Sequence, residues 1–327
     1  MFLAARSGRA VTVPSMRYRQ LGKSGLTVSI IGLGANNFGW RLDLERSRPV
    51  IRAAVDAGIT FIDTSDSYDR GNSETIIGEV LKDRRDEVVI ATKFGSDMGG
   101  TNGPDWGTRA SRRYIVKAVE ASLRRLQTDW IDLYQLHRPD GATPLEETLS
   151  ALDDLVHQGK IRYAGSSNLA AWQVVESAWV SETRGITAFV SAQNHYSLLE
   201  RTPELDLVPA CLAHGVSVIP FYPLANGLLT GKWRRGEEAP EGSRLSGRNA
   251  PSDATFDVIE GLAAIADKAG VSTAELALAG LAAQPAVGSV IAGATSAEQA
   301  RANASAGDVN LAPEILAEID QVAVALR

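Results

Sequence analysis

Residues 131–166 read IDLYQLHRPDGATPLEETLSALDDLVHQGKIRYAGS, and this stretch decides the fold class. It begins and ends with short apolar runs, 131–137 and 161–166, that are typical of buried strands. Between them, residues 144–158 place apolar side chains at helical spacing. A strand, a helix and a second strand in this order indicate a parallel sheet.

The same alternation repeats along most of the chain. The predicted strands are 28–34, 61–64, 88–94, 131–137, 161–166, 188–195, 216–221 and 287–293. The predicted helices are 45–57, 73–82, 111–126, 144–158, 169–183, 204–214 and one that begins at about residue 297. Because the strand runs are continuously apolar, both faces of the sheet are covered. Eight such units in roughly 280 residues predict an α/β fold of the (β/α)8 TIM barrel type.

Three further segments complete the predicted architecture. Residues 18–29 form a predicted β-hairpin that closes the bottom of the barrel. The glycine-rich stretches 95–110 and 225–254 follow the third and seventh strands, at the end of a barrel where active sites lie. They are either substrate and cofactor loops or surface insertions. We expect residues 1–15 to be a disordered extension and residues 16–327 to be one barrel domain.

The composition excludes several classes of function. The 327 residues include 33 Lys and Arg against 39 Asp and Glu, a net charge of −6, which disfavours nucleic acid as a partner. Cys211 is the only cysteine, so a disulfide framework and a cysteine-based zinc site are excluded, and no metal is expected. No apolar stretch approaches the ~20 residues of a membrane span. These features favour a cytoplasmic protein with a small-molecule partner.

Four chemically different side chains fall near the ends of consecutive predicted strands. Asp63, Lys93 and His137 end the second, third and fourth strands, and Tyr68 lies in the loop after the second. Each alone has an ordinary structural explanation, such as a turn cap or a surface ammonium. Together at one end of a barrel they predict an active site.

The expected roles of these groups follow from their charges. Asp63 would neutralise Lys93 inside the barrel wall, where an unpaired charge is unfavourable. The ammonium would favour the phenolate of Tyr68, so we expect the pKa of Tyr68 to fall below its usual ~10. Tyr68 would then act as a general acid, while His137 holds the carbonyl oxygen of a substrate. This arrangement suits protonation of a carbonyl oxygen while hydride arrives at its carbon.

Seven motifs lie in order along the chain from about Met16 to the C-terminus. They are FIDTSDSY, ATKFG, IDLYQLHRPD, GSSN, SAQNHYSLLER, PLANGLLTGK and GATSAEQ. In these motifs the chain resembles the aldo-keto reductases, in the branch of potassium-channel β subunits and related bacterial reductases. The resemblance implies that Asp63, Tyr68, Lys93 and His137 are the catalytic residues. It also implies reduction of aldehydes and ketones with NADPH, with tyrosine as the proton donor.

The resemblance further implies where the cofactor binds. Ser167, Asn168 and Gln193 would hold the nicotinamide carboxamide, and Phe221 would stack on its ring. The remaining cofactor candidates are Gly34, Ala35, Asn36, Tyr222, Pro223, Leu224, Asn226, Gly227, Leu228, Lys232, Arg244, Gly293, Thr295, Gln299 and Asn303. Arg244 would reach the 2′-phosphate of NADPH. Gly293 and Gln299 stand where many members have basic residues, which leaves use of NADH open.

The resemblance implies a substrate pocket built from the loops after strands one, three, four and seven and from the C-terminal segment. Phe38, Trp40 and Trp106 are candidates for an apolar pocket wall, whereas Arg138 either orients an anionic substrate or forms a salt bridge at the rim. Two other functions compete with the reductase: a cofactor-binding sensor or regulatory subunit, and a Schiff-base lyase or aldolase that uses Lys93. A Schiff base needs a lysine of lowered pKa, which pairing with a carboxylate disfavours.

Overall fold

The computed structural model describes residues 16–239, 244–247 and 249–323, so the predicted extension over residues 1–15 lies outside the described residues. The strands are β1 (Tyr18–Gln20), β2 (Thr27–Ser29), β3 (Ile31–Gly34), β4 (Phe61–Asp63), β5 (Val89–Phe94), β6 (Ile131–Leu136), β7 (Ile161–Ser167), β8 (Phe189–His195), β9 (Ser217–Phe221) and β10 (Val290–Gly293). The helices are α1 (Leu44–Asp56), α2 (Asn72–Leu81), α3 (Arg112–Leu126), α4 (Leu145–His157), α5 (Ala171–Arg184), α6 (Leu207–His214), α7 (Asp253–Ala269), α8 (Thr273–Ala282), α9 (Ala297–Ser305) and α10 (Pro313–Ala323).

Eight of the strands form one parallel sheet, in the order β10-β3-β4-β5-β6-β7-β8-β9. A parallel bridge between Val218 of β9 and Val287, just before β10, brings the two edges together. The sheet is therefore a nearly closed barrel, and a helix follows each of its strands. The predicted (β/α)8 barrel is confirmed.

The N-terminal hairpin closes one end of this barrel. Strands β1 and β2 pair antiparallel, and the buried Leu21, Leu26 and Val28 of the hairpin cluster with apolar side chains from inside the barrel. Gly22 makes the close approach possible: its φ is +54°, and a Cβ atom there would lie 2.5 Å from the carbonyl oxygen of Val190. Only glycine fits this turn without displacing the backbone of β8.

The structure departs from the predicted elements in two places. The predicted first strand 28–34 is divided between β2 of the hairpin and β3 of the barrel. The Ser29 hydroxyl holds this junction, because it accepts the N–H of Phe61 and donates to the carbonyl of Ile31. Helices α7, α8 and α10 were not predicted, and the first two fill the space between β9 and β10.

The two long loops follow β5 and β9, as predicted, and both leave the same end of the barrel. The loop after β9 includes a 3-10 turn, Ala225–Thr230, before α7 begins. Within the described ranges, no helix has both the length and the apolar character needed to cross a membrane.

Candidate active site

Three of the four predicted catalytic residues meet at the carboxyl ends of β4 and β5. Lys93 is fully buried, and its Nζ donates hydrogen bonds to Asp63 Oδ2 and to the carbonyl oxygen of Thr64, both at 2.7 Å. The same Nζ lies 3.3 Å from the hydroxyl of Tyr68, which begins the 3-10 turn after β4. These contacts engage all three donors of the ammonium group. The carboxylate, the ammonium and the phenol therefore form one connected unit.

Two buried amides hold the other oxygen of Asp63. Gln193 Nε2 donates to Asp63 Oδ1 at 2.8 Å, and Gln135 Nε2 donates to the same atom at 3.2 Å. The amide nitrogen of Gln193, predicted to bind cofactor, is therefore engaged with the carboxylate of Asp63. Gln135 was not predicted. It lies two residues before His137 on β6, so strand alternation could have identified it.

The expected fall in the pKa of Tyr68 is wrong. Burial raises the pKa of Tyr68 by more than the neighbouring Lys93 lowers it. For Lys93 the balance is reversed: burial lowers its pKa, but Asp63 and Tyr68 raise it further, so the net direction is upward. The site therefore holds a charged lysine beside a tyrosine that keeps its proton.

His137 follows β6 directly and faces the same group. Its ring centroid lies 6.1 Å from that of Tyr68, with the ring planes at 83°. Burial, together with the charges of Lys93 and Arg138, lowers the pKa of His137 to about 3, so the imidazole is neutral near pH 7. Its Nδ1 lies 3.1 Å from the hydroxyl of Ser65 and 3.4 Å from that of Ser67. Neither serine was predicted.

A buried polar cluster supports the loop that carries Ser65 and Tyr68. Asp66 accepts a hydrogen bond from Asn102 Nδ2 at 3.1 Å, which links this loop to the long loop after β5. Asn102 Oδ1 in turn accepts from Arg125 of α3, whose Nε pairs with the buried Glu74 at 2.7 Å. Burial and the nearby Glu74 raise the pKa of Asp66 well above its usual value.

A cavity of about 540 Å³ opens above these groups. The predicted residues that line it are Asp63, Tyr68, His137, Arg138, Gly34, Ala35, Asn36, Ser167, Asn168, Gln193, Phe221, Tyr222, Pro223, Leu224, Asn226, Gly227, Lys232, Arg244, Gly293, Thr295 and Gln299. Leu228 does not line it and packs against the core. Asn303 does not line it either, because its side chain is buried and donates to the carbonyl of Gly293. The wall also includes residues that were not predicted, namely Asn37, Arg41, Thr230, Leu245, Ile291 and Ala292.

The end of β7 is arranged around Asn168. Its Nδ2 donates to the carbonyl oxygen of His137 at 3.0 Å and to Ser167 Oγ at 2.9 Å. Its φ of +58° lies in the left-handed region, which asparagine tolerates better than most residues. Ser167 Oγ donates to the carbonyl oxygen of Gln193. These contacts join the ends of β6, β7 and β8.

Three aromatic rings pack at the ends of β8 and β9. Phe221 stacks on His195 with ring centroids 5.5 Å apart and planes at 10°. Tyr222 stands edge-on to both rings. One face of Phe221 is thus covered by His195, which acts here as packing at the rim.

Arg244 reaches the cavity from the loop after β9. Its Nη2 donates to Asn36 Oδ1 at 2.7 Å and to Asn37 Oδ1 at 2.8 Å. Gln299, which also lines the cavity, uses its Oε1 to accept from the backbone N–H and the hydroxyl of Thr295. Arg244 is therefore anchored in the cavity, whereas Gln299 adds no charge to it.

Only one of the four candidate substrate residues, Arg138, lines the cavity. Phe38 is fully buried in the core, so it does not fit the expected role in a pocket wall. Trp40 and Trp106 are about two-thirds exposed and lie outside the cavity wall. Trp106 packs under the guanidinium of Arg113, 4.0 Å from its ring centroid, and Trp40 packs against Arg41.

Comparison with known proteins identifies the family. A family model described as the aldo/keto reductase family matches residues 30–324. The chain belongs to this family. Among similar proteins, a probable voltage-gated potassium channel subunit beta of Arabidopsis thaliana is 36% identical over 321 residues, which cover 94% of this chain and 96% of that protein.

Two proteins named as reductases are comparably similar. The versiconal hemiacetal acetate reductase of Aspergillus parasiticus is 39% identical over 291 residues, 81% of this chain and 84% of its own. The L-glyceraldehyde 3-phosphate reductase of Escherichia coli O157:H7 is 35% identical over 322 residues, 94% of this chain and 92% of its own. This aldo/keto reductase is therefore an oxidoreductase, and its family supports carbonyl reduction with a nicotinamide cofactor.

Proposed function

We propose that this aldo/keto reductase reduces aldehydes or ketones to alcohols with NADPH, and that Tyr68 donates the proton. The observation that carries the proposal is the contact of Tyr68 with the buried ion pair of Lys93 and Asp63 in the cavity. When bound, the nicotinamide would supply hydride to the carbonyl carbon. The other half of the reaction, delivery of a proton to the carbonyl oxygen, falls to the side chains of this chain.

Tyr68 is suited to this step because it holds its proton until it is needed. Burial raises its pKa, so the phenol stays neutral in the resting site. As the carbonyl oxygen gains negative charge it becomes a stronger base, and the phenol proton moves to it. The phenolate left behind is stabilised by the ammonium of Lys93, 3.3 Å away, which Asp63 keeps charged.

His137 complements Tyr68 as a neutral hydrogen-bond donor. With its pKa lowered to about 3, it carries one ring proton near pH 7. If the Ser65 hydroxyl donates to Nδ1, that proton lies on Nε2, where it can be donated to the carbonyl oxygen. We therefore propose that His137 orients the substrate and that Ser65 fixes the tautomer of His137.

The residues that line the cavity fit a dinucleotide. Two cations from the loop after β9, Lys232 and Arg244, lie in its wall, and among the described residues of that wall Asp63 is the only acidic one and is already paired. Excess positive charge suits the phosphates of a dinucleotide. Gly34 and Gly293 lie side by side on β3 and β10, so their backbones can approach a ligand closely. Ser167, Asn168 and the aromatic group around Phe221 would flank the nicotinamide.

Arg244 supports NADPH over NADH. A guanidinium binds a phosphate by paired hydrogen bonds, and Arg244 is held in the cavity by Asn36 and Asn37. Gln299 contributes no cation, so the preference for a 2′-phosphate rests on Arg244 and Lys232. We expect a preference for NADPH, with some use of NADH.

The alternative function is a cofactor-binding sensor or regulatory subunit with little turnover. The similarity to a probable voltage-gated potassium channel subunit beta favours it. Both functions need the cofactor, but only the reductase needs a complete proton-donating group. The Tyr68, Lys93 and Asp63 contacts therefore favour the reductase.

Cofactor consumption tests the choice between these functions. Purified protein is mixed with 4-nitrobenzaldehyde, and oxidation of NADPH and of NADH is followed by absorbance. The reductase predicts steady turnover that is faster with NADPH. Tight NADPH binding without turnover on this and other carbonyls would contradict the reductase and support the sensor.

A further inference from the structure

Two arginines of the cavity wall follow strands on either side of β4. Arg41 lies in the loop after β3, and Arg138 directly follows His137 at the end of β6. The sheet order places β4, which leads to Tyr68, between these two strands. Across residues 16–239, 244–247 and 249–323, neither guanidinium has an ion-pair or hydrogen-bond partner. The salt bridge at the rim that was one possibility for Arg138 is thus not formed with any described residue.

The charge of Arg138 is separate from the cations assigned to the cofactor. Lys232 and Arg244 belong to the loop after β9, and β9 is three strands away from β6 in the sheet. The carboxylate of Asp63 cannot neutralise Arg138 either, because it is already paired with Lys93 at 2.7 Å. This side of the cavity therefore carries two guanidinium groups that no described carboxylate pairs with. Such a region attracts anions.

We propose that Arg138, assisted by Arg41, selects carbonyl substrates that carry a carboxylate or phosphate group. The inference rests on the proposed reductase function and names its substrate class. The carbonyl oxygen would lie at Tyr68 and His137, and the anionic group would lie beside the guanidinium of Arg138. A guanidinium suits this task, because its parallel N–H groups match the oxygens of a carboxylate or a phosphate.

A matched pair of aldehydes tests this selection. We would measure kcat/KM for 4-formylbenzoate and for its neutral methyl ester, in the wild type and in Arg138→Gln. Loss of a charged hydrogen bond predicts that kcat/KM for 4-formylbenzoate falls about tenfold or more, while that for the ester changes less than about twofold. Arg124→Gln removes the same charge from the exposed end of α3, away from the cavity, and should change neither value.

The outcomes separate this inference from the proposed function. If Arg138→Gln lowers kcat/KM equally for the acid and the ester, or for neither, the role of Arg138 is overturned while the proposed reductase function stands. A raised KM for NADPH in Arg138→Gln would assign this arginine to the cofactor and would also overturn it. If the wild type reduces neither aldehyde, the proposed function itself fails. Repeating the comparison with 4-formylphenyl phosphate identifies the preferred anion as the one whose kcat/KM falls more in Arg138→Gln. Arg41→Gln should also lower the ratio of kcat/KM for 4-formylbenzoate to kcat/KM for its methyl ester.

Discussion

Asp63→Asn is the substitution that tests the buried ion pair most severely. The side chains of Asp63 and Lys93 are 2% and 0% exposed, with Nζ and Oδ2 2.7 Å apart. Removing the negative charge leaves the ammonium unpaired inside the barrel, and breaking a buried pair in this way costs about 3–5 kcal/mol. Asparagine also offers one acceptor oxygen where Asp63 accepts from Lys93, Gln135 and Gln193. We therefore expect a loss in the free energy of unfolding near the upper end of that range.

The loss should depend on pH in a defined direction. In the wild type burial lowers the pKa of Lys93, but Asp63 and Tyr68 raise it more. The stabilisation is thus complete below the unfolded pKa of about 10.4 and is lost as pH rises through the higher folded value. In Asp63→Asn burial dominates, so the folded state binds fewer protons than the unfolded chain. The difference in free energy of unfolding between the wild type and Asp63→Asn should therefore shrink from neutral pH towards pH ~10. It should shrink by at most about 1.4 kcal/mol per pH unit.

Urea titrations followed by circular dichroism at several pH values measure this dependence. Asp132→Asn is the matched control, because Asp132 pairs with the partly buried Arg85 at 2.7 Å. An arginine does not lose its proton in this range. The loss in free energy of unfolding caused by Asp132→Asn should therefore be independent of pH. A loss below about 1 kcal/mol at neutral pH in Asp63→Asn, or a deficit that does not change with pH, would refute the reasoning.

Three further substitutions test separate parts of the site and fold. Ser65→Ala should lower kcat about tenfold with KM for NADPH unchanged, and 15N NMR should show a mixture of the two His137 tautomers. A single, unchanged tautomer would contradict the role of Ser65. Arg244→Met should raise the dissociation constant of NADPH at least about tenfold and that of NADH about twofold or less, as measured by fluorescence titration; equal changes would place the 2′-phosphate elsewhere. Gly78→Ala should cost about 1–3 kcal/mol in urea titrations despite its better helix propensity, because the new Cβ would lie 2.6 Å from the carbonyl oxygen of Arg125; unchanged stability would mean that α2 and α3 can separate freely.

The barrel and the positions of the residues at its strand ends could be predicted because both follow from strand periodicity. Apolar runs locate the strands, and the residues that end them must share one rim. The positions of Asp63, Lys93 and His137 follow from this rule alone. By contrast, the direction of the Tyr68 pKa was not predictable, because it depends on how completely the surrounding side chains exclude water.

The loops account for most of the errors. Phe38 and Trp40 lie two residues apart after β3, yet one is buried and the other is 62% exposed. Loop conformation decides this difference, and no period in the sequence encodes it. The missed helix α8 did carry a signal, since Ser272 and Glu275 form a capping box at its start. Ser65 carried none, because only the folded loop brings its hydroxyl to His137.

The polar cluster of Asp66, Asn102, Arg125 and Glu74 also could not be predicted from the sequence. Asp66, Asn102 and Arg125 come from three separate segments, and their contacts depend on how the loop after β5 folds over α3. Each residue alone reads as an ordinary surface polar group. Together they are buried or half-buried and support the loop that carries Tyr68. Long-range packing of this kind leaves no local pattern in the sequence.

The most direct test of the central claim compares Tyr68→Phe with Tyr134→Phe. Each variant loses one phenol hydroxyl, but that of Tyr68 contacts Lys93, whereas that of the buried Tyr134 has no hydrogen-bond partner in the described part of the chain. We would measure the rate of aldehyde reduction and, separately, the dissociation constant of NADPH. The account predicts that Tyr68→Phe reduces the rate by a factor of about 100 or more with NADPH binding unchanged, and that Tyr134→Phe alters neither. Wild-type turnover in Tyr68→Phe would contradict its assignment as the proton donor.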